Sequence, residues 1–278
     1  MEKNKKTILG NFMCHIYLIF LTIIAGFPLV WIILSSVKET GELTSNPTSF
    51  WPKSFTLSNY IHVLNDLGFA RNISNSILIA LATTVIAITI SAMAAYGIVR
   101  FFPKFGNLMS KALIMTYMFP PILLAIPYSL VMAKAGLVNT RLGLIIVYLS
   151  FSVPYAVWIL VGFFKTVPIG IEEAARVDGA NKFEVFIRIV LPLVAPGIVA
   201  TAIYTFINVW NEFLYALILI NSTDKMTVAV ALKSLEGAEI LVWGDMMAAS
   251  ALVVIPSVIF FSIIQKRIAG GLAEGSVK

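Results

Sequence analysis

The sequence predicts an all-α membrane protein built from six transmembrane helices. Of its 278 residues, 59% are hydrophobic and 12% are charged, whereas charged residues make up about a quarter of an ordinary soluble domain. Six apolar stretches are long enough to cross about 30 Å of hydrocarbon as a helix, and lipid is therefore the predicted solvent for most of the chain. The predicted spans cover residues 16–36, 73–98, 112–133, 142–164, 191–220 and 246–265.

The first span follows the basic stretch MEKNKK. Its apolar run is too long for the hydrophobic core of a secretory signal, and no small-residue cleavage pattern precedes Lys38. We therefore expect an uncleaved transmembrane helix. The third span contains Pro120, Pro121 and Pro127, which kink or break a helix. These prolines are either ordinary packing kinks or a sign that the helices splay around a central pathway.

The distribution of positive charge predicts the orientation. Six spans place both termini on one side, and this side, with residues 99–111 and 165–190, holds thirteen of the twenty lysines and arginines. Because positively charged loops are retained in the cytoplasm, both termini and segment 165–190 are predicted to be cytoplasmic. The basic residues form no patch with interleaved aromatics, which argues against a nucleic-acid partner.

Segment 165–190 carries the start signal of a short helix over residues 168–177. Pro168 suits the first turn, and Glu172 then lies near the positive end of the helix dipole. Glu172 and Arg176 are four residues apart and can pair on an exposed face. We expect this helix to form the first arm of a hairpin.

A second helix is predicted directly after a turn at Gly179. Glycine ends a helix by adopting a left-handed conformation, and Asn181 with Glu184 has the spacing of a capping box. Glu184 and Arg188 can pair across one turn. The mixed, slightly acidic charge of this amphipathic hairpin favours a protein partner over a lipid surface. One apolar stripe is predicted to contain Phe183, Phe186, Ile187 and Val190.

The hairpin resembles the EAA loop of permease subunits in binding-protein-dependent ATP-binding-cassette importers. The string EEAARVDGANKFEVFIRIVLPLVAPG is similar to carbohydrate uptake permeases of the maltose-permease type, and the likeness extends to SAMAAYGIVRF, WNEF and the C-terminal QKRIAGGLAEGSVK. The resemblance implies that the EAA loop couples the permease to an ATPase. The implied coupling residues are Glu173, Ala174, Ala175, Asp178, Gly179, Ile189, Leu191 and Pro192.

The resemblance also implies the architecture and the partners. Residues 1–278 would form a single transmembrane domain of the type I importer fold in the inner (cytoplasmic) membrane. A second permease subunit, as a rule a different chain, would complete the pathway, and two ATPase subunits would bind the EAA loops. An extracytoplasmic solute-binding protein would contact outer loop 221–245, which could instead merely pack over the spans. The tail 268–278 is expected to be extended and to reach the ATPases.

The resemblance implies that the chain is a transport subunit and not an enzyme. ATP and magnesium would be bound by the partner ATPase, and no cofactor is expected here, since the sequence lacks the pattern G-x-x-x-x-G-K-[ST]. No catalytic residue and no metal ligand is predicted, because Cys14, His15 and His62 form no cluster with acidic residues.

The fifth predicted span contains the polar string NVWNEF. A carboxylate such as Glu212 costs about 2.5–3.5 kcal/mol at the bilayer centre and usually faces a bundle interior or an aqueous cavity. It either bonds to a neighbouring helix or partner subunit, or it lines the passage. In the second case, the residues that would offer hydrogen bonds and aromatic faces to sugar hydroxyls are Asn208, Trp210, Asn211, Glu212 and Tyr215.

Other transport functions remain open at this point. The same class of importer could carry glycerol phosphate, a polyamine or an amino acid, although the sequence offers no clear intramembrane anion site. An ion-coupled secondary transporter would need several membrane acids or an internal repeat, and only Glu212 is available. A sugar is the favoured solute, and the sequence does not identify which one.

Overall fold

The computed structural model describes residues 2–236 and 242–275, and these residues contain helices and turns but no strand. The all-α prediction is confirmed. The α-helices are α1 Glu2–Ser36, α2 Thr40–Ser45, α3 Ser58–Ile61, α4 Phe69–Arg100, α5 Pro103–Tyr117, α6 Pro121–Lys134, α7 Arg141–Thr166, α8 Ile169–Val177, α9 Lys182–Glu184, α10 Leu191–Trp210, α11 Leu214–Leu219, α12 Val228–Glu236 and α13 Trp243–Gly275. Two π-helical turns, His62–Asp66 and Val185–Val190, and a 3₁₀ turn, Thr223–Lys225, complete the described elements.

Five of the described helices are long and apolar enough to cross a membrane, and a bent pair could supply a sixth span. The bent pair takes the place of the predicted span 112–133, whose prolines were expected to kink or break it: Phe105–Tyr117 and Pro121–Lys134 meet at 91°. Pro120 has a ψ of 121°, outside the helical region. Because a proline disfavours helical conformation in the residue before it, Pro121 accounts for the break at Pro120.

The fifth span also differs from the predicted range 191–220. One continuous helix runs over Lys182–Trp210 and includes the π-helical turn. The chain then leaves helical geometry before α11, because the backbone N–H groups of Tyr215 and Ala216 bond to the Glu212 carboxylate at 2.8 and 3.2 Å. In a continuous helix, these two N–H groups would bond to backbone carbonyls four residues earlier. Here they bond to a side chain, and the helix is interrupted.

The described chain divides into two compact units. The smaller unit contains residues 2–70, 232–236 and 242–256, and the larger unit contains residues 71–231 and 257–275. In the smaller unit, the Asn59 side chain donates to the carbonyls of Ser36 and Lys38 at 3.1 and 2.8 Å. The buried Glu42 carboxylate accepts from the Lys53 backbone N–H. The segment after α1 is therefore held by buried hydrogen bonds.

In the larger unit, α7 packs against both α5 and α10. Gly197 permits the close approach of α10, since a Cβ built there would lie 2.3 Å from the Phe163 ring. Leu160 and Phe164 of α7 are fully buried. These contacts form the base on which the hairpin between α7 and α10 rests.

Residues 221–227, at the start of the predicted outer loop, are tied to the larger unit. Asn139, whose φ is +59°, accepts hydrogen bonds from the backbone N–H groups of Asn221 and Ser222 at 3.1 and 3.2 Å. The Asn75 amide donates to the carbonyls of Asp224 and Met226, both at 3.0 Å. Residues 237–241 lie outside the described residues, and contact of loop 221–245 with a binding protein stays a prediction.

The C-terminal prediction is wrong in its conformation. Helix α13 continues to Gly275, so the expected extended tail 268–278 is helical over its described part. Residues 276–278 lie outside the described residues.

Candidate functional site

The hairpin between α7 and α10 has the predicted helix-turn-helix geometry. Gly179 has a φ of +96°, and the Ala180 N–H donates to the Ala175 carbonyl at 3.0 Å. Asn181 Oδ1 accepts from the backbone N–H of Glu184 at 3.0 Å, and the Glu184 carboxylate accepts from the Asn181 N–H at 3.0 Å. The turn at Gly179 and the capping box are both confirmed.

The second arm of the hairpin is part of a spanning helix. Residues Lys182–Trp210 form one continuous helix, so no flexible joint separates the arm from the membrane segment. The predicted pair of Glu184 and Arg188 is confirmed at 3.8 Å on the surface.

The first arm is fixed by a buried ion pair that involves Glu172. This carboxylate is only 6% exposed and accepts hydrogen bonds from Arg100 Nε at 2.5 Å and from the Tyr96 hydroxyl at 2.8 Å. Arg100 Nη2 also donates to the Val167 carbonyl at 2.8 Å. The prediction that Glu172 pairs with Arg176 on an exposed face is wrong, because this face of α8 rests on the end of α4.

The predicted apolar stripe is confirmed at Phe186 and Val190 and wrong at Phe183 and Ile187. Val185 and Val190 are buried, whereas Phe183 is 69% exposed. Residues 185–190 form a π-helical turn, in which residues five apart share a face. This spacing turns Val185 and Val190 inward and leaves Ile187 exposed. Phe186 still packs on Tyr96, at 4.8 Å between ring centroids.

The predicted coupling residues differ in their exposure to solvent. Ala175, Ile189 and Leu191 are half-buried, and the others are exposed. Five exposed apolar side chains accompany the exposed acidic residues on the hairpin. We name this set the docking face: Ile169, Ile171, Glu173, Val177, Asp178, Phe183 and Ile187.

A second candidate site is a cavity of about 350 Å³ in the larger unit, beside the end of α10. Three of the five predicted pathway residues, Asn208, Glu212 and Tyr215, line it. The remaining lining residues come from α5, α6, α7 and the bend between α5 and α6. They are Thr116, Tyr117, Phe119, Pro121, Leu124, Tyr128, Ser150 and Phe151.

Glu212 is held by protein donors. Its Oε2 accepts from the Tyr148 hydroxyl at 2.6 Å and from the Ala216 N–H, and its Oε1 accepts from the Tyr215 N–H. The carboxylate therefore caps α11 and bonds to α7. Of the two alternatives for Glu212, the bond to a neighbouring helix is confirmed. Glu212 also lines this cavity, and its role in a solute passage stays a prediction.

Two predicted pathway residues lie away from this cavity. Trp210 is 2% exposed, and its ring stacks on that of Phe206 at 6.1 Å between ring centroids. Its contact with a solute stays a prediction that this cavity does not support. The Asn211 side chain donates to the Ile207 carbonyl at 2.9 Å and is not among the lining residues. Neither side chain is therefore in a position to contact a molecule bound in this cavity.

Sequence reasoning missed a group of tyrosines in and beside the cavity. Tyr128 packs edge-on against Tyr215 at 5.5 Å. Tyr155 stacks on Tyr204 at 4.3 Å, and the Tyr204 hydroxyl lies 3.3 Å from that of Tyr117. Tyrosines inside apolar spans were the available signal, since a buried hydroxyl needs a partner.

Metal and cofactor binding find no support within the described parts of the chain. No three side chains from His, Cys, Asp or Glu are grouped there so as to hold a metal ion. The absence of a cofactor in this chain stays a prediction.

These features define a helical, multi-pass membrane permease. Residues 87–273 match the family described as binding-protein-dependent transport system inner membrane component, and the chain belongs to this family.

Relatives and a solved structure agree with this assignment. The chain is 37% identical over 263 residues to a trehalose transport system permease protein of Mycobacterium tuberculosis, covering 92% of this chain and 95% of the relative. It is 34% identical over 277 residues to a trehalose/maltose transport system permease protein of Thermococcus litoralis, covering 99% of both. A bacterial ABC transporter involved in alginate import has a TM-score of 0.79 at 22% identity, covering 94% of this chain and 97% of that chain. This likeness confirms the importer permease fold.

Proposed function

We propose that this chain is one permease subunit of an ATP-driven, binding-protein-dependent sugar importer. It forms half of the pathway with a second permease subunit. Two ATPase subunits, which bind ATP and magnesium, dock on the hairpins, and an extracytoplasmic binding protein delivers the solute. The observation that carries the proposal is the continuous helix Lys182–Trp210, because it joins the docking face directly to the cavity.

The composition of the docking face supports a protein partner. Val177 is 86% exposed and Phe183 is 69% exposed, and large apolar side chains at this exposure are typical of interaction sites when they cluster. Exposed acidic residues such as Glu173 and Asp178 alternate with exposed basic residues such as Arg176 and Lys182 on the hairpin. Such mixed charge suits a protein partner, whereas a helix that lies on lipid has a basic polar face.

The supporting contacts make the hairpin a rigid connection. Arg100 joins α4 to Glu172 of α8 and to the carbonyl of Val167, while Val185 and Val190 pack into the buried core. A displacement of the docked ATPase would therefore move α4 and α10 together. Such rigid-body movement is a general means of alternating access.

The cavity favours a neutral, hydroxylated solute. Its described lining offers hydroxyl groups, the Asn208 amide and aromatic faces, and none of these lining residues is Lys or Arg. An anion such as glycerol phosphate would lack a cationic partner, and the Glu212 carboxylate would repel it. The names of the trehalose and maltose relatives support the same class of solute.

ATPase activity of the reconstituted complex with its binding protein tests the function. We expect a neutral disaccharide such as trehalose or maltose to stimulate hydrolysis, while glycerol 3-phosphate and putrescine leave it at the basal rate. Stimulation by the phosphate ester or the polyamine alone would overturn the sugar assignment. Purification of the active permease without any ATPase subunit would overturn the importer class.

Replacement of Gly179 by aspartate is expected to leave the chain in the membrane and to abolish uptake. The left-handed conformation at Gly179 costs a substituted residue about 1–2 kcal/mol, and a Cβ there meets nothing within 4 Å in this chain. The variant should therefore fold, and its new side chain would obstruct the docking partner. Solute uptake and the amount of chain in isolated membranes measure the two effects.

Gly136→Asp is a matched control for this variant. Gly136 has a φ of +68°, and a Cβ there also meets nothing within 4 Å, so the backbone cost is similar. It lies outside the hairpin and should retain most uptake. Normal uptake by Gly179→Asp, or equal loss in both variants, would contradict the docking role of Gly179.

A further inference from the structure

A groove of about 470 Å³ lies between α5 and α7, separate from the cavity and the docking face. Its small lining residues, Ser110 and Gly162, leave space between the two helices. A Cβ built on Gly162 meets nothing within 4 Å, so the protein itself does not fill this part of the groove.

Two lysines give the groove a positive charge. Lys111 and Lys165 are both exposed and both line it. Lys165 Nζ donates to Asn107 Oδ1 at 2.8 Å. Across the described residues, neither lysine forms an ion pair with a carboxylate, unlike Arg100 and Arg188. The groove therefore offers two uncompensated cations beside neutral hydrogen-bonding groups, a combination suited to an anion.

The deeper part of the groove is apolar. Trp158 and Ile159 line it, and Trp158 is 46% exposed. Trp158 precedes Lys165 by seven residues, which is two helical turns or about 10 Å along α7. Both side chains hence lie on one face of α7, with the lysine at the helix end and the tryptophan nearer the middle of the span. An anion bound at the lysines would have an apolar surface beside it.

We infer that this groove binds an anionic phospholipid, with the headgroup phosphate between Lys111 and Lys165 and an acyl chain along Trp158. The lysines lie at the end of α7 that the charge distribution predicts to be cytoplasmic, where anionic lipids attract basic groups. Each lysine near the surface enriches an anionic lipid about fivefold. The groove shares no lining residue with the cavity or with the docking face.

Fluorescence quenching in nanodiscs of the complete transporter tests the site. The probe is phosphatidylglycerol with brominated acyl chains, diluted into phosphatidylcholine, and the reverse preparation has the bromine on phosphatidylcholine. The difference in emission between the unmodified chain and Trp158→Phe isolates the signal of this tryptophan. We expect brominated phosphatidylglycerol to quench that signal more strongly than brominated phosphatidylcholine at equal mole fraction.

Three variants distinguish the groove from general surface charge. The double variant Lys111→Gln with Lys165→Gln should abolish the preference for phosphatidylglycerol. The double variant Lys53→Gln with Lys134→Gln removes two positive charges outside the groove and should retain that preference. Gly162→Leu keeps both lysines but fills the groove, and should also abolish the preference. Equal quenching by both lipids, absence of quenching at Trp158 because the second permease covers it, or a preference that survives Lys111→Gln with Lys165→Gln would overturn the inference.

Discussion

Arg100→Met should destabilise the permease by about 3–5 kcal/mol, because removal of one partner leaves the buried Glu172 carboxylate without its cation. Uptake should fall to background, because Arg100 of α4 also donates to the Val167 carbonyl. Arg100 therefore holds both Val167, which precedes α8, and Glu172 within α8. Thermal unfolding of the purified complex and solute uptake measure the two effects.

A double substitution and a surface control make this prediction specific. Arg100→Met combined with Glu172→Leu removes both charges and should be less destabilised than Arg100→Met alone, as expected for a coupled pair. Arg188→Met breaks a pair whose arginine side chain is 77% exposed and should cost at most about 1 kcal/mol. If Arg100→Met were no less stable than Arg188→Met, the buried pair would not fix the hairpin.

Glu212→Ala should cause the largest loss at the cavity. It removes the acceptor of two backbone N–H groups and of the Tyr148 hydroxyl, and each unsatisfied buried donor costs about 1–3 kcal/mol. We expect reduced accumulation in the membrane together with loss of uptake. Glu212→Gln retains an acceptor for α11 and a group that can bond to Tyr148, so most stability and measurable uptake should remain.

The comparison of these two variants separates the roles of Glu212. Asn211→Ala serves as the neighbouring control, because Asn211 is exposed and its side-chain amide donates to the Ile207 carbonyl of its own helix. A small effect is expected there. If Glu212→Gln accumulated normally but transported nothing, the negative charge itself would be required for solute movement, and a purely supporting role would be wrong.

Local sequence signals predicted the hairpin well. Pro168, Gly179 and the capping box of Asn181 and Glu184 each act through backbone conformation or through hydrogen bonds within a few residues. Such interactions are decided by neighbours along the chain, and the structure places the turn and the second helix start where they were predicted. The role of these residues in coupling stays a prediction until an ATPase complex is measured.

Features that depend on contacts between distant parts of the chain were predicted poorly. The partner of Glu172 is Arg100, 72 residues earlier, and no local spacing could favour it over Arg176. The inward face after Phe183 depends on a π-helical turn, which changes the spacing of buried positions from the ordinary helical repeat. For the same reason, the tyrosines in and beside the cavity come from five helices, α5, α6, α7, α10 and α11, and only the packing of these helices brings them together.

Apolar stretches, Gly179 and the capping box by themselves determined the helical membrane fold and the hairpin, because these features are set by composition or by short-range geometry. The class of protein was indicated by the resemblance of the EEAARVDGAN string to a known family. The tertiary structure alone decided that Glu172 is a buried anchor, that Trp210 does not line the cavity, and that the break predicted at the prolines of the third span has an angle of 91°. These outcomes depend on which helix faces pack together, a choice made by burial and hydrogen-bond satisfaction over the whole larger unit.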